Sequence, residues 1–143
     1  MRAAIILFDG GSVALIERIR DGRRYYLFPG GQVGPDETPE GAAAREALEE
    51  LGLDVEVTRL VARARFGGSE QRYYLARKIG GVFGAGEGDE MTGADVAGSG
   101  SYRAVLWPIG ALATIELRPA GLAGRIERAA ARGWPDEVAE IAD

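Results

Sequence analysis

The chain has no cysteine and no histidine among its 143 residues. The first absence excludes disulfides, thiolate metal sites and cysteine nucleophiles. The second removes the usual general base and the commonest transition-metal ligand. Lysine is nearly missing as well: Lys78 stands alone, and arginine carries the rest of the positive charge. Acid–base or metal chemistry must therefore run on carboxylates, with tyrosine or Lys78 as lesser candidates. Long apolar runs are also lacking. "AAIILF" ends at Asp9, too short for a secretory or membrane-spanning segment, so a cytoplasmic protein without a membrane partner is expected. The net charge of −5 argues against a general nucleic-acid partner, which wants a basic face. Small phosphorylated ligands remain open, because arginines can gather locally in a cleft. The length suits one domain over residues 1–143, with 134–143 read as a C-terminal tail.

What is present alternates strand and helix signals. "RAAIILFDGGSVALIERIR" reads as two strands joined by an Asp-Gly-Gly turn. A second turn, "DGRR", leads to the short aromatic strand "YYLF", which stops at Pro29-Gly30-Gly31. At Thr38 the period changes. Thr38 suits an N-cap, Pro39 the first helical position and Gly52 the stop, so a helix is predicted between them. Asp54 to Phe66 alternates as a strand with Val57, Arg59, Val61, Arg63 and Arg65 on one side. "EQRYYLARKI" and "YRAVLWP" are further strands. "IGALATIEL" and "PAGLAGRIERAAARG" are predicted helical. Residues 84–101 are Gly-rich and acidic, and a loop of that length reads as a lid or as disorder.

One cluster stands out. Glu46, Glu49 and Glu50 lie within five residues of a segment otherwise built of Ala and Leu, and at helical spacing they crowd together. A solvated face with an Arg45–Glu49 pair accounts for one contact, worth about 0.2–0.5 kcal/mol. It leaves like charges interacting by about a few kcal/mol at an effective dielectric of about 20. A divalent cation would neutralise them, and oxygen-only ligands point to Mg²⁺ or Mn²⁺ before Ca²⁺. Mg²⁺ typically combines carboxylates with substrate phosphates and waters. Gly30 and Gly31 lack a Cβ, so their backbone can approach such an ion.

These residues resemble the signature of the Nudix family. Gly31, Glu37, Arg45-Glu46, Glu49-Glu50, Gly52 and Leu53 fall on the pattern G-x5-E-x7-R-E-U-x-E-E-x-G-U, where U is a bulky aliphatic residue. Only Ala47 departs, small where the family has a bulky residue. The flanking strands and the final helix also follow the family order. The resemblance implies an α/β fold, an α/β/α sandwich around a central mixed β-sheet. It implies hydrolysis of a nucleoside diphosphate linked to another group, with Mg²⁺ (or Mn²⁺) held by Glu46, Glu49 and Glu50 and by a carbonyl of Gly30 or Gly31.

By the same resemblance, Glu46 is the first choice of general base, with Glu90 or Glu87 of the Gly-rich loop as alternatives. Arg45 and Glu37 fix the loop against the helix, and Gly52 is structural. Arg18, Arg20, Arg63 and Arg65 are candidate phosphate contacts, since a guanidinium fork suits phosphate oxygens. Tyr25, Tyr26, Phe28, Tyr73, Tyr74 and Trp107 suit base stacking, although alternating strand aromatics more often fill cores; Phe28 is kept as a substrate contact. Elimination of motifs outside the signature favours a small (deoxy)nucleoside triphosphate as substrate. ADP-ribose, a dinucleoside polyphosphate, or ligand sensing without turnover are the alternatives. An isopentenyl diphosphate isomerase is excluded because its chemistry resembles a Cys-and-Glu arrangement with a His-rich metal site. A homodimer is compatible with the resemblance.

Overall fold

The computed structural model describes residues 1–86 and 100–142. Glu87, Glu90 and most of the Gly-rich loop lie outside the described residues. The strands are β1 (Arg2–Asp9), β2 (Ser12–Arg20), β3 (Arg23–Leu27), β4 (Gly30–Gln32), β5 (Leu53–Phe66), β6 (Ser69–Gly81), β7 (Ser101–Pro108), β8 (Leu117–Arg118) and β9 (Ala139–Ile141). Helix α1 spans Pro39–Leu51 and helix α2 spans Leu122–Arg132.

The sheet runs β8-β3-β2-β1-β6-β5-β9, with β4 attached to β1 and β7 to β2. It is mixed: β1 pairs with β6 in parallel, as do β5 with β9 and β3 with β8, while the other pairs are antiparallel. Strand β1 explains why both faces must be covered. Ala3, Ile5 and Leu7 point to a core under α1, whereas Ala4 and Ile6 point to a core under α2. A strand apolar on both faces needs a layer on each side. The result is the expected α/β/α sandwich.

Helix α1 begins and ends as its sequence dictates. The Thr38 hydroxyl accepts the Gly41 N–H at 3.0 Å, and Gly52, at φ 75°, donates its N–H to the Leu48 carbonyl. Ala42, Ala43 and Ala47 are fully buried against the sheet. The small side chain at Ala47 therefore sits at a close helix–sheet contact.

Three expectations are corrected. Strand β5 shifts register against β6 at Asp54/Val55, Val57/Arg59 and Leu60/Ala62. Such bulges reverse the side-chain alternation, so Val57 packs on the α1 side and Val61 on the α2 side. The segment "IGALATIEL" is a 3-10 helix only over Ile109–Thr114. Its buried residues, Ile109 and Leu112, are three apart, the spacing a 3-10 turn brings to one side. Leu117 then pairs beside Tyr26. The expected tail at 134–143 is not a simple one over its described residues: Ala139–Ile141 pair with Ala62–Ala64, and Ile141 is buried in the α2-side core.

Candidate active site

The turn from β3 into β4 and the side of α1 that carries Glu46, Glu49 and Glu50 meet in one acidic groove. Glu50 is buried at 7 % exposure, and its Oε1 accepts the Gly30 N–H at 2.7 Å. The Glu46 carboxylate lies directly against Gly31; a Cβ there would overlap it. A Cβ on Gly30 would overlap the backbone of Ala3 and Ala4. The two glycines are thus needed for different close approaches: Gly30 to strand β1 and Gly31 to the acidic side chain.

Arg45 is the hub of the groove. Its Nε and one terminal nitrogen donate to both Glu37 oxygens, at 2.7 and 3.0 Å. The other terminal nitrogen donates to Glu46 at 2.9 Å and to both Glu49 oxygens at 3.3 Å. The terminal nitrogen that bonds Glu37 also donates to the Gln32 carbonyl, at 3.1 Å. Glu37 accepts the Gly34 N–H at 2.8 Å, tying the loop before α1 to the helix. The Arg45 hydrogen bonds, and then the Gly34 amide, hold the Glu37 carboxyl down at about 2. The same bonds, led by Glu37, raise Arg45 above the ordinary guanidinium value against the opposing effect of burial.

The donor set suits a small hard cation: three carboxylates on one helix beside backbone that approaches without a Cβ. Among the described residues, however, no three acidic groups already converge into a cation-holding cluster. Arg45 supplies the counter-charge to Glu46 and Glu49 instead.

Of the predicted phosphate contacts, Arg18 lies on the α1 side of the sheet, buried at 5 % exposure with its guanidinium 3.9 Å over the Tyr102 ring. The other three are engaged elsewhere, which corrects their grouping with the site. Arg20 is exposed beside Asp21, Arg63 faces Glu140 at 4.0 Å, and Arg65 donates to the Gly68 carbonyl near Glu70. Strand position, invisible in a list of arginines, separates them.

Phe28 is 2 % exposed and meets Tyr73 edge-on, with ring centroids 5.7 Å apart. Together they back a cavity of about 280 Å³ whose polar members are Arg2, Gln71 and Arg118. Arg2 joins this cavity to the groove by donating to the Phe28 and Gly30 carbonyls, at 3.3 and 3.1 Å. Sequence reasoning missed Arg2, Gln71 and Arg118, because only strand pairing across dozens of residues brings them together. Tyr73 was visible as a strand aromatic, and its dual place in core and cavity was not.

The chain resembles known proteins at two levels. A family model described as NUDIX domain matches residues 1–96. An RNA pyrophosphohydrolase of Pseudomonas fluorescens (strain SBW25) is 41% identical over 75 residues, which cover 52% of this chain and 44% of that protein. The chain thus spans less than half the length of that curated relative. A NUDIX hydrolase from Nitrosomonas europaea superimposes with a TM-score of 0.69 at 21% identity, covering 99% of this chain and 78% of the other. An ADP-ribose pyrophosphatase from Streptococcus suis 89-1591 does so with a TM-score of 0.64 at 19% identity, covering 99% and 97%. At those identities the two structures speak for the fold. With the signature residues gathered around α1 and the family model covering most of the chain, the chain belongs to the Nudix hydrolase family.

Proposed function

We propose that this protein hydrolyses the pyrophosphate linkage of a nucleoside diphosphate derivative, with a small (deoxy)nucleoside triphosphate as substrate and Mg²⁺ as the working ion. The observation that carries this reading is the junction at Gly30. The acidic groove and the Phe28 cavity share that turn, so a phosphate chain in one can continue into a nucleoside in the other. A largely apolar cavity with a few polar groups is the usual form of such a subsite.

Glu46, Glu49, Glu50 and a carbonyl of Gly30 or Gly31 would hold the ion. When bound, it supplies charge withdrawal from the phosphoryl oxygens and a lowered pKa for water. The chain's own residues do the rest. Glu46 accepts the proton of the attacking water, and the water oxygen bonds to phosphorus as the bridging P–O bond breaks. Glu50, anchored on the Gly30 amide, keeps the turn and helix in register. Arg45 and Glu37 position the loop. Arg2, Gln71 and Arg118 orient the nucleoside over Phe28. The whole chain acts as one unit, because β9 completes the sheet that carries β1.

A second reading has its own support. The curated relative is named an RNA pyrophosphohydrolase, and a triphosphorylated RNA end presents the same bond. A panel of dNTPs, ADP-ribose, a dinucleoside polyphosphate and a 5′-triphosphorylated RNA oligonucleotide separates the readings, with product analysis for pyrophosphate against phosphate. The proposal expects the highest kcat/KM on a dNTP, with release of pyrophosphate. Turnover confined to the RNA or to ADP-ribose overturns the substrate assignment.

A further inference from the structure

We propose that the cavity at the C-terminal end of α2 is a second binding site, distinct from the acidic groove, for a small aromatic phosphate such as a nucleoside monophosphate. The cavity measures about 290 Å³ and is lined by Arg125, Arg128 and Arg132 together with Trp134, Val61 and Glu137. It belongs to the α2 side of the sheet, whereas the acidic groove belongs to α1.

Two independent observations mark it as more than a solvated helix end. The first is the state of its arginines. Elsewhere among the described residues, arginines meet a carboxylate, a carbonyl or a ring: Arg45, Arg72, Arg77 and Arg118 pair with glutamates, Arg59 donates to the Pro135 carbonyl, and Arg18 covers Tyr102. Arg125, Arg128 and Arg132 form no ion pair or hydrogen bond with any described residue, even though Glu137 lines the same cavity. In a chain of net charge −5, three guanidiniums on one helix face without partners are unusual. Compensation of the helix dipole accounts for a basic residue in the last turn, which is Arg132, and not for the other two. The second observation is Trp134, whose indole Nε1 is buried without an acceptor. A buried donor left unpaired is costly.

The chemistry of the lining selects the ligand. Guanidinium forks recognise phosphate oxygens, and an indole face beside arginines suits a flat ring. The volume suits a small molecule.

Titration of the ¹⁵N-labelled full chain with AMP in EDTA tests the assignment through its two indole resonances. The Trp107 indole already donates to the Ala111 carbonyl at 3.1 Å and serves as the internal reference. We expect the Trp134 indole signal to move saturably while that of Trp107 stays. Adenosine should move it about tenfold more weakly, and Arg128→Ala/Arg132→Ala should weaken AMP by about tenfold or more. Both substituted residues are exposed, so the variant should keep native dispersion and unchanged Mg²⁺-dependent hydrolysis. A Trp134 signal that ignores millimolar AMP overturns the proposal. So does one that responds equally to adenosine, or equally in the double variant. None of these results bears on the acidic groove, whose failure would show as lost hydrolysis.

Discussion

Helices α1 and α2 lie on opposite faces of one sheet and each gathers like charges on one side. On α1 the charges are answered within the fold: Arg45 holds Glu37, Glu46 and Glu49, and the Gly30 amide holds Glu50. On α2 Arg125, Arg128 and Arg132 meet no counter-charge among the described residues around their cavity. The difference teaches that a dense charge cluster can be answered inside the fold or left for a ligand to answer. The α1 cluster is held in place by one arginine as resident counter-charge. The α2 cluster has no such resident counter-charge among the described residues; its exposed members, Arg128 and Arg132, rest against solvent until an anion answers them.

Substitutions can break that comparison at graded strength. Gly30→Ala should have the largest effect, because its Cβ would meet the backbone of Ala3 and Ala4; a loss of about 3 kcal/mol is expected from overpacking. Gly31→Ala is its counterpart. The obstacle there is the movable Glu46 carboxylate, so stability should change by less than about 1 kcal/mol, while misplacement of Glu46 should cost about tenfold in kcat. Denaturant melts and turnover of both variants decide the point; equal destabilisation would show that the two glycines serve the same purpose.

On the α2 side, Ile141→Ala should lose about 2 kcal/mol by leaving a cavity in the core. An unaltered melt would return residues 139–141 to the role of a loose tail. The smallest effect is the pH dependence of the Glu37–Arg45 pair. The Glu37 carboxyl titrates at about 2 in the folded chain against an ordinary 4.5. Its contribution is therefore complete above pH 4.5 and lost as pH falls toward about 2. The difference in melting temperature between wild type and Glu37→Gln should stay constant from pH 7 to 5 and narrow below. A difference that widens with acid contradicts the pairing.

Much of the α1 side was legible in the residues because its determinants are local. Thr38, Pro39 and Gly52 delimit the helix, and the glutamate spacing puts the acids on one face within two turns. The Arg45–Glu37 contact spans only eight positions. What escaped depends on long-range pairing. Arg2 meets Gly30 because β1 pairs with β4, and Arg118 reaches the Phe28 cavity through β8 beside β3. Long-range pairing also places Arg63 opposite Glu140 of β9, while Arg65 reaches back to Gly68 in the β5–β6 turn, so neither joins the groove. The fate of 134–143 was hidden for the same reason: Ile141 counts as core only once β9 is laid along β5.

The central claim is that the acidic face of α1 is where a divalent ion and a pyrophosphate meet. Mg²⁺-dependent turnover of a dNTP by Glu50→Gln, compared with wild type at matched melting temperature, tests it most directly. Glutamine keeps an oxygen for the Gly30 amide and removes the charge, so kcat/KM should fall on the order of 100-fold while the fold persists. A folded Glu50→Gln protein that turns over at the wild-type rate would contradict the account.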